Sequence, residues 1–509
     1  FQAMGLGSLL YALGVVQLFA ASKEFILKVG TMGSSFIRLG AEPSSPKLDV
    51  GGTVAVAGPG IYPAYLGVGY IIGPRLASLN FAGGILAWGL FAPLLMYFLG
   101  PQLIERFYGP GADMTAVAWP DMVTNVWKFI IRPIAVGGML VGAGYTLYKM
   151  RKNLAAGIKR SMGDIKKAAG QAEVSSRLEK DLNIKVVLGG LLAVFVMMIF
   201  VYRMFTGTFP PALLAAGVMA VAGFFFAAVS GNLVGTIGSS NNPISGLTLS
   251  TLIIAALLMV VIGTTGPSGV AAVLGVAAVV CVSSAVAGEM LQDLKVGHLL
   301  GGTPWKMQIG NIFGVLVASM VLYFPLMVLI GAFKLGSKDL PAPQAGLMAA
   351  LAKGIVGGEM AWPLVIVGML MGFALILVKV SSPMLVAVGM YLPLETTFAI
   401  FCGGMIKGIV NRYSDRRKLN PAQKARTENV GILLAAGLIA GEALTGLLRA
   451  LWKFMFFQKV IAFDIPTIFA NPSYLLGIAV LVLIGFYLVA VPLKHAGAPD
   501  EPPPPSAVI

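Results

Sequence analysis

The sequence is short of nearly everything a soluble protein needs at its surface. Only 11% of its 509 residues are Asp, Glu, Lys or Arg, against roughly 25% in ordinary globular domains. A chain so poor in charge has too few polar segments to surround one large soluble core. It is equally poor in the residues that do chemistry. Histidine occurs only as His298 and His495, and cysteine only as Cys281 and Cys402. No G-x-x-x-x-G-K-[ST] loop is present, which excludes ATP hydrolysis by a P-loop. H-E-x-x-H and G-x-S-x-G are missing too, so metallo- and serine-hydrolase readings lack their parts. No catalytic residue, resident metal or cofactor is expected. No apolar run carries the regularly spaced arginines of a voltage sensor. Both cysteines sit inside apolar runs and read as small buried hydrophobes, not as a disulfide or metal pair.

What the chain has is apolar length. Hydrophobic residues make up 57%, and the mean hydropathy is +0.87. A bilayer core of about 30 Å needs roughly 20 apolar residues to cross it as helix. Runs of that kind recur, as in Val187–Met204, Ile309–Phe333 and Leu475–Pro492. The 64 glycines suit close helix packing and backbone breaks inside a bilayer. The net charge of +15 would suggest nucleic acid in a soluble protein. Here the bases sit between apolar runs, where they set orientation, and no nucleic-acid partner is expected.

Two basic loops fix that orientation. One runs from Lys149 through Arg151, Lys152, Lys159, Arg160, Lys166 and Lys167 to Lys185, and reads as an amphipathic helix on the membrane surface. The other contains Lys407, Arg412, Arg416, Arg417, Lys418, Lys424 and Arg426. Both are expected in the cytoplasm. Between them, spans at 186–205, 210–230, 247–264 and 268–288 bring the chain back inside at Asp293–Lys306. Spans at 309–333 and 361–379 follow. The stretch 382–406 must then start and end inside, which needs a turn in mid-membrane, and Pro393 stands at its centre. Such a re-entrant hairpin is tolerated only where it lines an enclosed cavity. Spans at 429–449 and 474–493 leave the C-terminus inside.

The same order of events precedes residue 150. Residues 8–28 come in, 52–74 make a hairpin around Tyr62-Pro63, and 79–100 and 126–148 follow. A shift of 330 places Pro63 on Pro393, Ile71 on Phe401 and Gly73 on Gly403. Ala82-Gly-Gly-Ile-Leu86 matches Ala440-Gly-Glu-Ala-Leu444 at another offset. The expectation is an all-α polytopic membrane protein: two repeated halves of transmembrane helices with re-entrant hairpins. Residues 1–149 are the later part of a first repeat whose start is missing before Phe1. Residues 150–185 are a basic cytoplasmic linker, 186–495 the second repeat, and 496–509 a Pro-rich disordered tail. Repeats with breaks at matching positions are a pointer to a transporter's binding site.

Ionisable groups inside a bilayer are costly and need a reason. Glu395 falls at the second hairpin's tip. Glu442 falls in mid-span after Gly437 and Gly441, whose spacing lets another helix approach. Desolvation favours the neutral form of a carboxyl, which suits an acid that takes up and releases a proton; a structural acid holding helices together is the other reading. Glu289, Asp293 and Lys295 cluster at one span's inner end and read as an ion pair or gate, and Glu359 as a solvated interfacial acid. Ser239, Ser240, Asn241, Asn242 and Ser245 interrupt an apolar region and could offer donors and acceptors to a polar solute, or form a plain loop. Tyr62, Tyr65, Tyr70 and Tyr391 flank the two hairpins, where phenols could contact a peptide or mark the membrane interface.

Several of these stretches resemble one family. The run Gly231–Thr248, with Ser239-Ser-Asn-Asn-Pro-Ile-Ser-Gly246 at its centre, is similar to a signature of the oligopeptide transporter (OPT) family, prokaryotic branch. So are Gln292-Asp-Leu-Lys-Val-Gly297 with Gly302–Gly310, Leu66–Arg75, and Met390-Tyr-Leu-Pro-Leu-Glu-Thr-Thr397. The resemblance implies a carrier of two similar helical halves, working by secondary active uptake, generally proton-driven, of small peptides, peptide-like solutes or metal chelates. The Lys-Ile-Pro-Pro-Arg signature of the fungal and plant peptide branch is missing, which leans toward the yellow stripe-like metal-chelate carriers. The resulting expectation is a multi-pass protein of the cell's inner (plasma) membrane, surrounded by lipid and able to oligomerise. It would move a small peptide or chelated solute with protons, with Glu395 or Glu442 carrying the proton. A passive channel and the membrane subunit of an ATP-driven importer are the alternatives.

Overall fold

The computed structural model describes residues 25–27, 36–38, 47–49, 54–56, 63–109, 119–146, 148–149, 151, 177–237, 244–333, 342–358, 361–457 and 474–502. Seven helical stretches among them are long and apolar enough to cross a membrane, from Pro63–Gly100 to Pro421–Phe457. The chain is an all-α polytopic membrane protein with a small strand-bearing segment near its start. There β1 (Phe25–Leu27) pairs antiparallel with β4 (Val54–Val56), and β2 (Phe36–Arg38) with β3 (Lys47–Asp49). The segments 8–28 and 52–74 were expected to be helical. At residues 25–27 and 54–56 they are strand instead, in agreement with the β-branched and aromatic residues there.

The helices fall into two compact units that cut across the sequence halves. The first joins the chain up to Met139 with Trp362–Ala507. In it α1 (Pro63–Ile85) continues through a π-helical turn, Leu86–Phe91, into α2 (Ala92–Tyr108). α3 begins as Trp119–Val126, passes a second π-helical turn, Trp127–Ile131, and runs on to residue 146, its residues from Leu140 belonging to the second unit. After Trp362 come α10 (Trp362–Leu377), α11 (Pro383–Tyr391), α12 (Leu394–Arg416), α13 (Pro421–Phe457) and α14 (Tyr474–Lys494). α1 bends where Gly73 takes φ 81° and ψ 171°. Glycine reaches that region without strain, and the following Pro74 keeps Gly73 out of helical geometry.

α1 packs most extensively on α12. The approach is so close that a Cβ at Gly69 would overlap the Ile400 carbonyl, and one at Gly403 the Leu66 carbonyl. Gly83 against Val386, and Gly389 against Asn80, seat α11 on the same helix. Without a hydrophobic force between helices in lipid, such small-residue contacts hold a bundle together. Leu66, Tyr70, Val410, Ala435, Leu438, Ile484 and Leu488 close the core among α1, α12, α13 and α14.

The second unit holds α4 (Ile184–Thr206), α5 (Phe209–Ile237), α6 (Ile244–Val261), α7 (Gly266–Leu299), nearly all of α8 (Pro304–Ala332), and α9 (Pro343–Val356). α5 and α6 pack on α7, α4 on α5, and α9 on α6 and α7. The Ser230 hydroxyl donates to the Ser284 carbonyl across the α5–α7 contact. α4 and α8 keep their apolar surface outward: Met204 is 84% exposed, Phe313 66% and Met320 71%. In water a surface of this kind would be an aggregation site; in a bilayer it meets acyl chains.

Three further expectations change. Asp293–Lys306 is not one loop, because α7 continues to Leu299 and α8 starts at Pro304. Lys407 is no loop base: it lies 5% exposed on α12 and pairs with Glu428 at 2.8 Å. The tail is not free chain where it is described. Arg426 donates to the carbonyls of Ala496, Ala498, Glu501 and Pro502, while Gln423 and Asn420 donate to those of Gly497 and Pro499. Expected disorder therefore fails for residues 496–502. A short helix, α9, had no counterpart among the expected spans.

Candidate functional site

The site is built where α11 stops and α12 begins. Leu392 (φ −81°, ψ 154°) and Pro393 (φ −58°, ψ 149°) are extended. Proline offers no N–H to the ladder and disfavours helix in the residue before it. A broken helix inside a membrane exposes carbonyls on one side and N–H groups on the other, and both must find partners.

The carbonyl side is closed by three side chains. Trp127 Nε1 donates to Met390 O at 3.1 Å, Arg132 Nε to Tyr391 O at 3.4 Å, and Trp88 Nε1 to Leu392 O at 3.3 Å. Trp88 and Trp127 lie in the two π-helical turns, Leu86–Phe91 and Trp127–Ile131. A π turn shifts the register of a helix face and is frequent at functional sites. Here both bring an indole to one break, with the rings 5.0 Å apart. The Arg132 guanidinium carbon lies 4.0 Å from the Trp127 ring centroid and 4.5 Å from that of Tyr391.

The N–H side is acidic. α1 also starts at a proline, Pro63, and its Ala64 N–H donates to Glu442 Oε2 at 2.8 Å. A carboxylate at a helix N-terminus satisfies an orphan donor and meets the positive end of the helix dipole. The Tyr65 side chain hydrogen-bonds that of Thr396, and Glu442 and Glu395 are both close enough to act on it electrostatically. Glu395 occupies the first turn of α12, and the Thr397 hydroxyl caps back onto the Leu394 carbonyl. The N-terminal turns of α1 and α12 thus meet at Tyr65 and Thr396, with Glu442 bonded to the first turn and Glu395 part of the second.

Of the residues expected at a site, the structure brings Tyr65, Tyr391, Glu395 and Glu442 to this pair of helix starts. Glu289, Asp293 and Lys295 do not form the expected cluster. All three are exposed on α7, and no ion pair joins them among the described residues. Ser239, Ser240, Asn241, Asn242, Tyr62 and Glu359 lie outside the described residues. Ser245 belongs to α6 by its backbone, and its side chain is not described. Tyr70 is fully buried with its ring 5.3 Å from Lys407 Nζ. Arg132, Trp88 and Trp127 were missed. A lone arginine within the apolar run 126–148 was the available signal, since charge at that depth asks for a reason. Among the described residues, no group of three His, Cys, Asp or Glu side chains could hold a metal ion.

A break between two helices, faced by two acids and an arginine in a chain of membrane-spanning length, makes this the candidate site of a polytopic membrane protein. Comparison with known proteins gives the family: the model for the OPT oligopeptide transporter protein matches residues 58–453. The chain belongs to the OPT family, whose members are transporters and not enzymes. It is 30% identical over 454 residues to a Haemophilus influenzae protein named "Putative oligopeptide transporter", covering 81% of this chain and 69% of that one. A "Probable metal-nicotianamine transporter" of Oryza sativa subsp. japonica is 30% identical over 202 residues, covering 36% of this chain and 29% of its own length. A "Putative oligopeptide transporter" of Saccharomyces cerevisiae is 22% identical over 444 residues, covering 77% and 58%.

Proposed function

We propose that the chain is a proton-coupled symporter of small peptides or peptide-like solutes, metal chelates included, working by alternating access in the cell's inner membrane with its C-terminus in the cytoplasm. The observation that carries this reading is the hydrogen bond between the Ala64 N–H and Glu442 Oε2. It ties an acid of a membrane-spanning helix to the first turn of α1, so a change in the charge of Glu442 changes how the α1 start is held. Tyr65 and Thr396 link the same point to the start of α12 beside Glu395. Protonation and helix position are thereby coupled at one place, which is what symport requires.

The reading extends to architecture. α1 and α12 are corresponding elements of two repeats in this reading, each starting beside a proline, Pro63 and Pro393. The shift that aligns those prolines also aligns Tyr70 with Ile400, and α1 meets α12 closely at Gly69 and Ile400. A pseudo-two-fold axis makes equivalent segments cross near equivalent residues. Rocking of one repeat against the other would open the break to each side in turn.

Uptake of a mixed tripeptide pool, with and without a metal chelate, into proteoliposomes tests it. Accumulation driven by an inward proton gradient and abolished by an uncoupler is expected. Saturation-free conductance would make the protein a channel, and dependence on an ATPase partner would make it an importer subunit; either result ends the symport reading.

A further inference from the structure

Arg132 lies near the middle of the 25-residue apolar stretch Met122–Thr146. A guanidinium there is among the most costly groups a membrane protein can carry, and it persists only with a counter-charge or a task. Among the described residues no carboxylate pairs with it; the ion pairs found are Lys407–Glu428, Lys424–Asp415 and Arg426–Glu501. Its Nε donates to the Tyr391 carbonyl at 3.4 Å. Its two terminal nitrogens meet no acceptor among those residues, and neither is among the sealed, unpartnered polar atoms of the fold. They are therefore not sealed inside the fold.

We propose that Arg132 binds a carboxylate of the transported solute, with the free fork of its guanidinium, at the break between α11 and α12. The proposal rests on the transporter reading above and names a chemical requirement of its solute. Trp127 and Tyr391, whose ring centroids lie 4.0 and 4.5 Å from the guanidinium carbon, fix the group by its faces. Cation–π contact of this kind holds the plane and leaves the edge available. That edge presents parallel N–H donors matched to the two oxygens of a carboxylate. The opposite charge lies across the break. Tyr391 and Glu395 are four residues apart, so their Cα atoms are within about 14 Å of each other. A short zwitterionic peptide can therefore set its carboxylate on Arg132 and its ammonium toward the acids beside Tyr65.

A purely structural role is the competing account: Arg132 would only cap α11 and oppose its negative end. Capping uses one donor of five and gives no preference between solutes, so the two accounts separate in binding. Affinity of the purified full chain for a mixed tripeptide pool is compared with that for the same pool amidated at its C-termini. Losing one charge-assisted pair corresponds to roughly tenfold to a hundredfold in affinity, so the free acids should bind that much tighter. Arg132→Gln should erase the preference, and Arg132→Lys should restore part of it, at unchanged monodispersity. Equal binding of acids and amides by the wild-type chain overturns the proposal without recourse to any variant. So does a preference that survives Arg132→Gln, or binding of neither pool. Acid-selective binding without proton-driven uptake would confirm this site and remove the symport reading instead.

Discussion

The backbone N–H of Ala64 and the carboxylate of Glu442 meet at 2.8 Å across 378 positions of sequence. The contact joins α13 to the first turn of α1. It gives Glu442 two duties that substitution can separate, because an amide oxygen still accepts the hydrogen bond but the amide takes up no proton. Glu442→Gln is expected to fold with the wild-type melting temperature and to lose proton-driven accumulation. Glu442→Ala loses the acceptor as well and is expected to cost about 0.5–2 kcal/mol, as for other lost helix caps. Thermal unfolding and vesicle uptake on the same preparations measure both. Full accumulation by the Gln variant would relocate the proton site.

The α1–α12 contact tolerates no side chain. Gly69→Ala and Gly403→Ala push a methyl into backbone carbonyls of Ile400 and Leu66. Overpacking of this sort costs about 1–3 kcal/mol. Gly189→Ala on α4 meets nothing within 4 Å, so it is expected to be neutral, or stabilising by up to about 1 kcal/mol. Denaturant titration of the three variants in detergent tests the contrast, and equal stability of all three would mean that the crossing is looser than described.

Lys407 and Glu428 form an unequal pair. The lysine side chain is 7% exposed and the glutamate 53%. Lys407→Met leaves only a wetted acid behind and should change stability by less than about 1 kcal/mol. Glu428→Gln leaves a buried ammonium without its partner. That should cost about 1–3 kcal/mol, less than for a fully buried pair because half of the acid is in solvent. A larger loss for the lysine variant would contradict this ordering.

Arg426 binds the tail through four carbonyls. Arg426→Ala should make the chain beyond Lys494 several times more sensitive to limited proteolysis, whereas Glu501→Gln should leave it protected. The Arg426–Glu501 pair is 3.7 Å long with a half-exposed acid, and such pairs contribute little.

Much of this was legible in the sequence because membrane helices write their burial as uninterrupted apolar length. The limits of α4, α8 and α14 fall within a few residues of the expected spans for that reason. Glu395 and Glu442 stood out as rare acids in apolar runs, and Pro393 marked the break. What the sequence could not show was packing across distance. Nothing local to Trp88 or Trp127 says that two π-helical turns aim their indoles at carbonyls some 300 positions later in the chain. Lys407 looked like one more base of a cytoplasmic loop because its burial depends on Tyr70 and Glu428. Glu289, Asp293 and Lys295 had the spacing of an ion cluster, but spacing along α7 does not supply the neighbours that would bury them. Tail composition suggested disorder, and for residues 496–502 the carbonyl contacts of Arg426, Gln423 and Asn420 show otherwise.

The measurement that tests the central claim most directly follows protons and solute together. Proteoliposomes carrying a pH-sensitive dye in the lumen, with no imposed gradient, receive a tripeptide pool outside. Wild-type protein should acidify the lumen as peptide enters, and Glu442→Gln should abolish the acidification. Peptide entry without lumenal acidification, or acidification unchanged by Glu442→Gln, would contradict the claim that this acid couples protons to solute.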